Sequence, residues 1–496
     1  MSLSLHIART YLVAATLLSS SCGSSSSAPT PQTRPDIILI SIDSLRPDHL
    51  GCYGYKRNTS PTIDRLAREG VRFVNAVSTT SWTLPAHAAL FTGLYDSAHG
   101  VVNIDDQLAD EHLTMAEILR NSGYQTVGFY GGPFLHPTYG LDQGFDAYFS
   151  CMTKVPEDAD EQRYREFPVH DASHQDITGP RTLDRFNQWF STISPQPFFL
   201  FLHLWDVHYD YTPPKRFIDL FDPDYTGTIT ADRYMKNPDI TLEMSQRDFE
   251  HVLALYDGEI RFTDEILGQI LKKLEEAGRL NNALVIVTSD HGEEFFEHGA
   301  KGHQTSLFEE VVRVPLIFYY PQRLKPGLVI LDQARLIDVL PTVLELAQVN
   351  WPIHVQGRDL SPVFERQKLI AEPALLELLV FTQRIRGLRT NDYKVLVDQN
   401  LGQTAFYDLR TDPHELTNTT VGGGKENPTY VRALANLGEV TKQNNAYREL
   451  TLVAPPKKAT ISNSMKRRLE SLGYVGGPNG DSSHGQTTQT GEAKNH

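Results

Sequence analysis

The chain has 496 residues, enough for one large domain plus a smaller one around a sizeable buried core. Hydrophobic residues make up 40% and charged residues 22%, an ordinary globular balance. The net charge of -15, from 61 acidic against 46 basic residues, argues against a nucleic-acid partner, because such binding depends on clustered Lys and Arg. It leaves a small anionic substrate open, since a metal ion and local histidines can reverse the sign inside one cleft.

The opening MSLSLHIART carries one Arg, then the short apolar run YLVAATLL, then SSSC. That run is too short to cross a bilayer and reads as a secretory signal over residues 1–22. Cys22, placed after small residues and before GSSSSAPTPQT, resembles the cysteine of a bacterial lipoprotein signal, although Ser19 stands where Leu is typical. A plain cleaved signal is the other reading. Both predict export to the periplasm or outer cell surface, and the first adds a membrane anchor through a lipidated Cys22. With Cys52 and Cys151 the only other cysteines, no disulfide framework is being built.

Residues 23–33 are rich in Ser, Pro and Thr and read as a disordered linker. DIILISI at 36–42 is a β-branched run ending at Asp43, the pattern of a buried parallel strand. PTIDRLAREG (61–70) has helical spacing closed by Gly70, and VRFVNAV is the next strand. The alternation continues with a helix over 111–123 and strands over 124–130 and 197–205, then a long helix from about 245 to 278. ALVIVTSD (283–290) and VPLIFYY (314–320) are further strands, followed by the helical RLIDVLPTVLELA. This order predicts an α/β fold, a doubly wound and mostly parallel sheet, for a catalytic domain over 34–375. From about residue 375 the texture changes to short alternating strands with turn residues such as Asn391-Asp392. That predicts a small antiparallel subdomain over 376–476, with a helix near 463–472 and a polar disordered tail over 477–496. The stretches 152–182 and 209–245 read as irregular loops.

Ligand sites in open α/β sheets gather at the carboxyl ends of the strands. Asp43 ends the first strand, Asp290-His291 ends ALVIVTS, and His203, Asp206 and His208 stand at or beyond the end of PFFLF. Each acid alone suits a turn cap. Both together, beside a histidine, suit a divalent ion.

SIDSLRPDHLGCYGY (41–55), SPTIDRLAREGVRFVNAVS and SWTLPAHAALFTGLY (81–95) follow the order and spacing of the sulfatase amino-terminal signature. TSDHGEEFFEHG (288–299) resembles the second metal motif of that family, and SLFEEVVRVPLIF (306–318) its next stretch. LRTNDYKVLV, FYDLRTDPHELTN and RLESLGYVGG (468–477) are similar to its carboxy-terminal subdomain. The chain thus resembles the sulfatase family of the alkaline phosphatase superfamily over nearly all its length, which implies an ester hydrolase with an alkaline phosphatase-like fold.

The resemblance implies metal ligation by Asp43, Thr83, Asp290 and His291, with one divalent ion (Zn, Mn or Ca) or two. Ser44 falls where many sulfatases have another Asp ligand, and its neutral hydroxyl is a poorer one. The family nucleophile is a Cys or Ser oxidised to formylglycine in Cys/Ser-x-Pro-x-Arg; here the motif reads Thr83-Leu84-Pro85-Ala86-His87. A threonine cannot become that aldehyde, so Thr83 is expected to attack as an alkoxide favoured by the metal, at a helix start opened by Pro85. Superfamily members with Ser or Thr at this place act on phosphate, which favours phosphate over sulfate esters. His208 is expected at the transferred anion, and His303 as leaving-group acid or ligand of a second ion. His87 stands in for the missing Arg, Lys301 is either a charge-stabilising alternative to His303 or a solvated surface lysine, His203 is taken as structural, and His298 as a loop residue. The expected partner is a small anionic ester or a sulfated or phosphorylated glycan or lipid. The alternatives are an arylsulfatase, a phosphoethanolamine-type transferase, and a glycan-binding relative without activity.

Overall fold

The run DIILISI does become a strand covered on both faces, with all seven residues buried. In a computed structural model, the residues described are 34–153, 176–351, 354–420, 426–450 and 456–474. The leader at 1–22, Cys22, the linker and the tail lie outside them.

The main sheet has nine strands. They are β1 (Asp36–Ile42), β2 (Val71–Val77), β3 (Gln125–Tyr130), β4 (Ala147–Ser150), β5 (Phe198–Leu204), β6 (Ala283–Thr288), β7 (Arg313–Tyr319), β8 (Leu328–Ile330) and β9 (Ala334–Arg335). Their spatial order is β8-β2-β7-β6-β1-β5-β3-β4, with β9 also on β2. All pairings are parallel except those of β7 with β2 and β6. The VPLIFYY strand therefore runs against its neighbours. A parallel return needs a crossover to the far end of the sheet. Because β7 returns antiparallel, the segment 289–312 between β6 and β7 stays at the carboxyl ends of the parallel strands.

Successive side chains of β1 serve two cores. Ile37 and Leu39 join one apolar cluster, and Ile38, Ile40 and Ile42 join the other. The first core packs α2 (Thr83–Thr92), α3 (Met115–Asn121) and later α6 (Val339–Leu346). The second packs α1 (Pro61–Glu69), α4 (Gly179–Phe190) and the 31-residue α5 (Gln246–Glu276). Ser245 caps α5, its hydroxyl accepting from the Asp248 N–H. A short helix at Lys215–Phe221 lies within a stretch expected to be irregular, and α4 begins at the end of another.

The second sheet is a four-stranded antiparallel meander: β10 (Ala374–Leu378), β11 (Ile385–Arg389), β12 (Tyr393–Asp398) and β13 (Gln403–Asp408). Leu375, Leu388, Val395 and Phe406 on one face pack with Tyr430, Ala433 and Leu437 of α7 (Pro428–Leu450), a helix the sequence reading did not foresee. Ala89 of α2 and Ile337 belong to the same cluster, so the helix that carries Thr83 is wedged between the two sheets. The helix α8 (Asn463–Ser471) is close to its expected bounds. Among the described residues, no helix is long and apolar enough to cross a membrane.

Candidate active site

Strand register builds the site. Ser41 of β1 stands opposite His203 of β5 and Thr288 of β6, so the three strands end together. Asp43 leaves the first of these ends and Asp290-His291 the last. Thr83 begins α2, after Trp82, whose extended backbone makes it the cap residue. Thr83 is therefore inside the first turn and its hydroxyl caps nothing; Pro85 follows within that turn instead of opening it. The whole helix is buried, in keeping with a sequence apolar on all sides.

Four groups converge. His291 Nε2 lies 3.4 Å from Thr83 Oγ1, 3.4 Å from Asp290 Oδ2 and 3.8 Å from Asp43 Oδ1. His291 Nδ1 is 2.8 Å from the Gly292 carbonyl. A carbonyl only accepts, so Nδ1 carries the hydrogen and Nε2 offers a bare lone pair. Ser44 is fully buried and does not face solvent; its hydroxyl donates to Asp43 Oδ1 at 2.8 Å and its N–H to Asp290 Oδ1 at 3.3 Å. It orients the two acids.

Asp43 Oδ2 and Asp290 Oδ2 are buried carboxylate oxygens without a hydrogen bond. His203 Nε2 is 3.2 Å from Asp43 Oδ2, but not in line for one. Burial is the main cause that pushes Asp43 up to about 6, with the charge of Glu293 adding to it, and that pushes His87, His203 and His303 down to about 4. Among the described residues, only histidines approach these two acids as cationic partners. Two unpartnered acids, one bare imidazole nitrogen and a hydroxyl suit a divalent cation, since buried charge is tolerated when paired or metal-bound. Asp43, Asp290 and His291 form one group of compatible ligand atoms, and His87, His203 and Asp290 another that shares Asp290. A third group, His298, Glu310 and Glu415, is already met by Lys394, whose Nζ is 2.9 Å from Glu415 Oε1.

His87 does not take the place of a guanidinium. Its Nδ1 donates to the Thr83 carbonyl at 2.9 Å and its Nε2 meets Ser41 Oγ at 3.0 Å, so both nitrogens are spent holding the first turn of α2. Lys301 also points elsewhere: Nζ donates to the Ile240 carbonyl at 2.8 Å and lies over the Tyr234 ring. The Asn237 carbonyl at 3.4 Å is a second acceptor for the same ammonium. His203, expected to be structural, stands at the acid pair.

His208 and His303 are brought together, with ring centroids 5.0 Å apart, and His303 is 4.3 Å from His291. His208 stacks on Trp205, centroids 3.9 Å apart. Its Nδ1 is 2.6 Å from the Tyr209 carbonyl. His303 Nδ1 faces Glu293 Oε1 at 3.3 Å, and Tyr211 donates to Glu293 Oε2 at 3.0 Å. Burial pushes the Glu293 carboxyl up to about 8. Glu293 was missed in the sequence although it lies within TSDHGEE, two residues past His291; its neighbour Glu294 looks identical in one dimension.

The sulfatase family model matches residues 35–349, and a model for the carboxy-terminal part of N-sulphoglucosamine sulphohydrolase matches 297–437. An ulvan-active sulfatase of Formosa agariphila is 27% identical over 78% of this chain and 77% of its own length. An N-acetylglucosamine-6-O-sulfatase of Bacteroides thetaiotaomicron is 25% identical over 88% of this chain and 90% of its own. Among solved structures, one bound to its substrate D-glucosamine-2-N,6-O-disulfate aligns with a TM-score of 0.69, at 22% identity, over 84% of this chain and 99% of the other. The phosphonate monoester hydrolase of Agrobacterium radiobacter gives 0.64, at 21% identity, over 84% and 96%. With its mostly parallel sheet and antiparallel companion, the chain belongs to the sulfatase family, hydrolases of ester bonds on an alkaline phosphatase-like fold.

Proposed function

We propose that this protein is a metal-dependent hydrolase that cleaves phosphate or sulfate esters with Thr83 as the nucleophile, phosphate-type esters being favoured. The observation that carries the proposal is the meeting of the Thr83 hydroxyl with Asp43, Asp290 and the bare Nε2 of His291. Asp43, Asp290, His291 and Thr83 would hold the ion, zinc, manganese or calcium, with Ser44 and the Gly292 carbonyl fixing their orientation. When bound, the cation supplies charge that favours the threonine alkoxide and offsets the anion.

The chain's own groups account for the rest. Thr83 gives up its hydroxyl proton to the histidines beside it as its oxygen bonds to phosphorus or sulfur, and the ester oxygen leaves with the bonding pair. The leaving oxygen takes up a proton at the end where His208 and His303 gather. Water then attacks the threonyl ester in line, releasing the inorganic anion and restoring the hydroxyl. A formylglycine hydrate has a second hydroxyl that expels sulfate without this step; Thr83 has none. That difference is the reason to favour phosphorus.

Sulfate-ester cleavage on a glycan is the second reading, supported by the sulfatases of Formosa and Bacteroides among the relatives. The leader and Cys22 further suggest an exported, lipid-anchored protein. A panel of p-nitrophenyl sulfate, phosphate, phosphodiester and phosphonate esters with zinc, manganese or calcium tests the substrate class. Phosphorus esters should turn over fastest. Preference for sulfate would overturn the favoured substrate, and loss of metal dependence would overturn the mechanism.

A further inference from the structure

RLESLGYVGG resembles a family stretch but received no role in the sequence reading. Its tyrosine lies inside the site. Tyr474 follows α8 by three residues, is 3% exposed, and packs its ring against Phe134 with centroids 4.8 Å apart. Its hydroxyl is 2.8 Å from His208 Nε2 and 3.0 Å from His303 Nε2. One oxygen from the far end of the described chain thus bridges the two histidines nearest the proposed leaving group.

Hydrogen positions along this bridge follow from one obligate acceptor. The Tyr209 carbonyl requires the hydrogen of His208 on Nδ1, leaving Nε2 as acceptor in the neutral ring. The phenol must then donate to His208. Having only one proton, it accepts from His303, so His303 Nε2 carries a hydrogen. The Tyr209 side chain also hydrogen-bonds this hydroxyl and, like His303, must donate to it, so the single phenol proton fixes the tautomers and ring orientations of both histidines.

We propose that Tyr474 is a positioning residue of the active site, whose hydroxyl sets His208 as an acceptor and His303 as a donor. Helix α8 would then complete the site by delivering this hydroxyl. The inference rests on the Thr83 reading, because it gives the two histidines work in that reaction. It goes beyond it in assigning a part to the carboxy-terminal segment.

Tyr474→Phe keeps the ring against Phe134 and removes one oxygen. The full-length, metal-loaded variant should bind metal at wild-type stoichiometry and melt at the wild-type temperature. With p-nitrophenyl phosphate and p-nitrophenyl sulfate its kcat should fall at least ~10-fold, with KM changed less than ~3-fold, the pattern of an interaction needed for proton transfer. Nitrogen-15 spectra of the imidazoles should show the Nε2 signals of His208 and His303 moving away from their separate acceptor and donor positions. Wild-type kcat with unchanged nitrogen signals, while Thr83→Ala is inactive, overturns this inference alone. A variant faster than wild type also overturns it, for the tyrosine would then be an obstruction. An active Thr83→Ala removes the nucleophile reading whatever Tyr474→Phe does.

Discussion

Asp206 sits in the turn after β5 that carries His208, and it is buried with its carboxylate accepting from the Thr178 N–H at 2.5 Å and the Thr178 hydroxyl at 3.3 Å. Burial pushes it from 3.8 up to about 7, and Asp176 nearby adds like charge. Below the unfolded value both states hold the proton and no penalty exists. As pH rises from about 4 to about 7 the unfolded chain ionises first, so stability falls, and above 7 the loss is complete. A rise of this size sets a ceiling of about 4 kcal/mol. Asp206→Asn keeps an acceptor for Thr178 and has no charge to desolvate. Urea unfolding at pH 5 and pH 8 should show the variant gaining on wild type as pH rises, by ~2–4 kcal/mol across the range. The pH-dependent loosening of the turn that holds His208 should diminish with it. A variant less stable than wild type at pH 8, or one with the same pH slope, would refute the electrostatic argument.

Ser44→Ala should weaken divalent-ion affinity ~10–100-fold in chelator competition, because the hydroxyl that orients Asp43 is lost while the ligand remains. Unchanged affinity would make Ser44 a spectator. Lys301→Met should leave kcat/KM within ~3-fold of wild type, since its ammonium is spent on the Ile240 and Asn237 carbonyls. A loss beyond ~10-fold would return Lys301 to the anion site. Exhaustive chelation should abolish turnover, and added zinc or manganese should restore it; turnover that survives chelation would contradict a metal role.

The strands were legible because β-branched runs such as DIILISI and ALVIVT need cover on both faces, and the acids behind them marked their ends. Strand direction was not legible for VPLIFYY, since apolar runs look alike either way and only the return from 289–312 sets β7 antiparallel. The helix α7 escaped notice because its buried stripe is thin: Tyr430, Ala433, Leu437 and Asn444, interrupted by Gly438 and polar neighbours. Asp43, Thr83, Asp290 and His291 could be read from motif order, and they do meet. His87, Lys301 and Ser44 could be named from the sequence, but not oriented. Each has a partner, a carbonyl or an acid, that no spacing rule reveals. Tyr474 meets His208, and Glu293 meets Tyr211, across long sequence separations, and periodicity is blind to those.

The most direct test is turnover by Thr83→Ala with its metal content measured in the same sample. A stoichiometric or somewhat weakened divalent ion is expected, because Asp43, Asp290 and His291 remain, with a fall in kcat of at least ~1000-fold. Activity near that of wild type, in a protein that still holds its ion, would contradict the central claim.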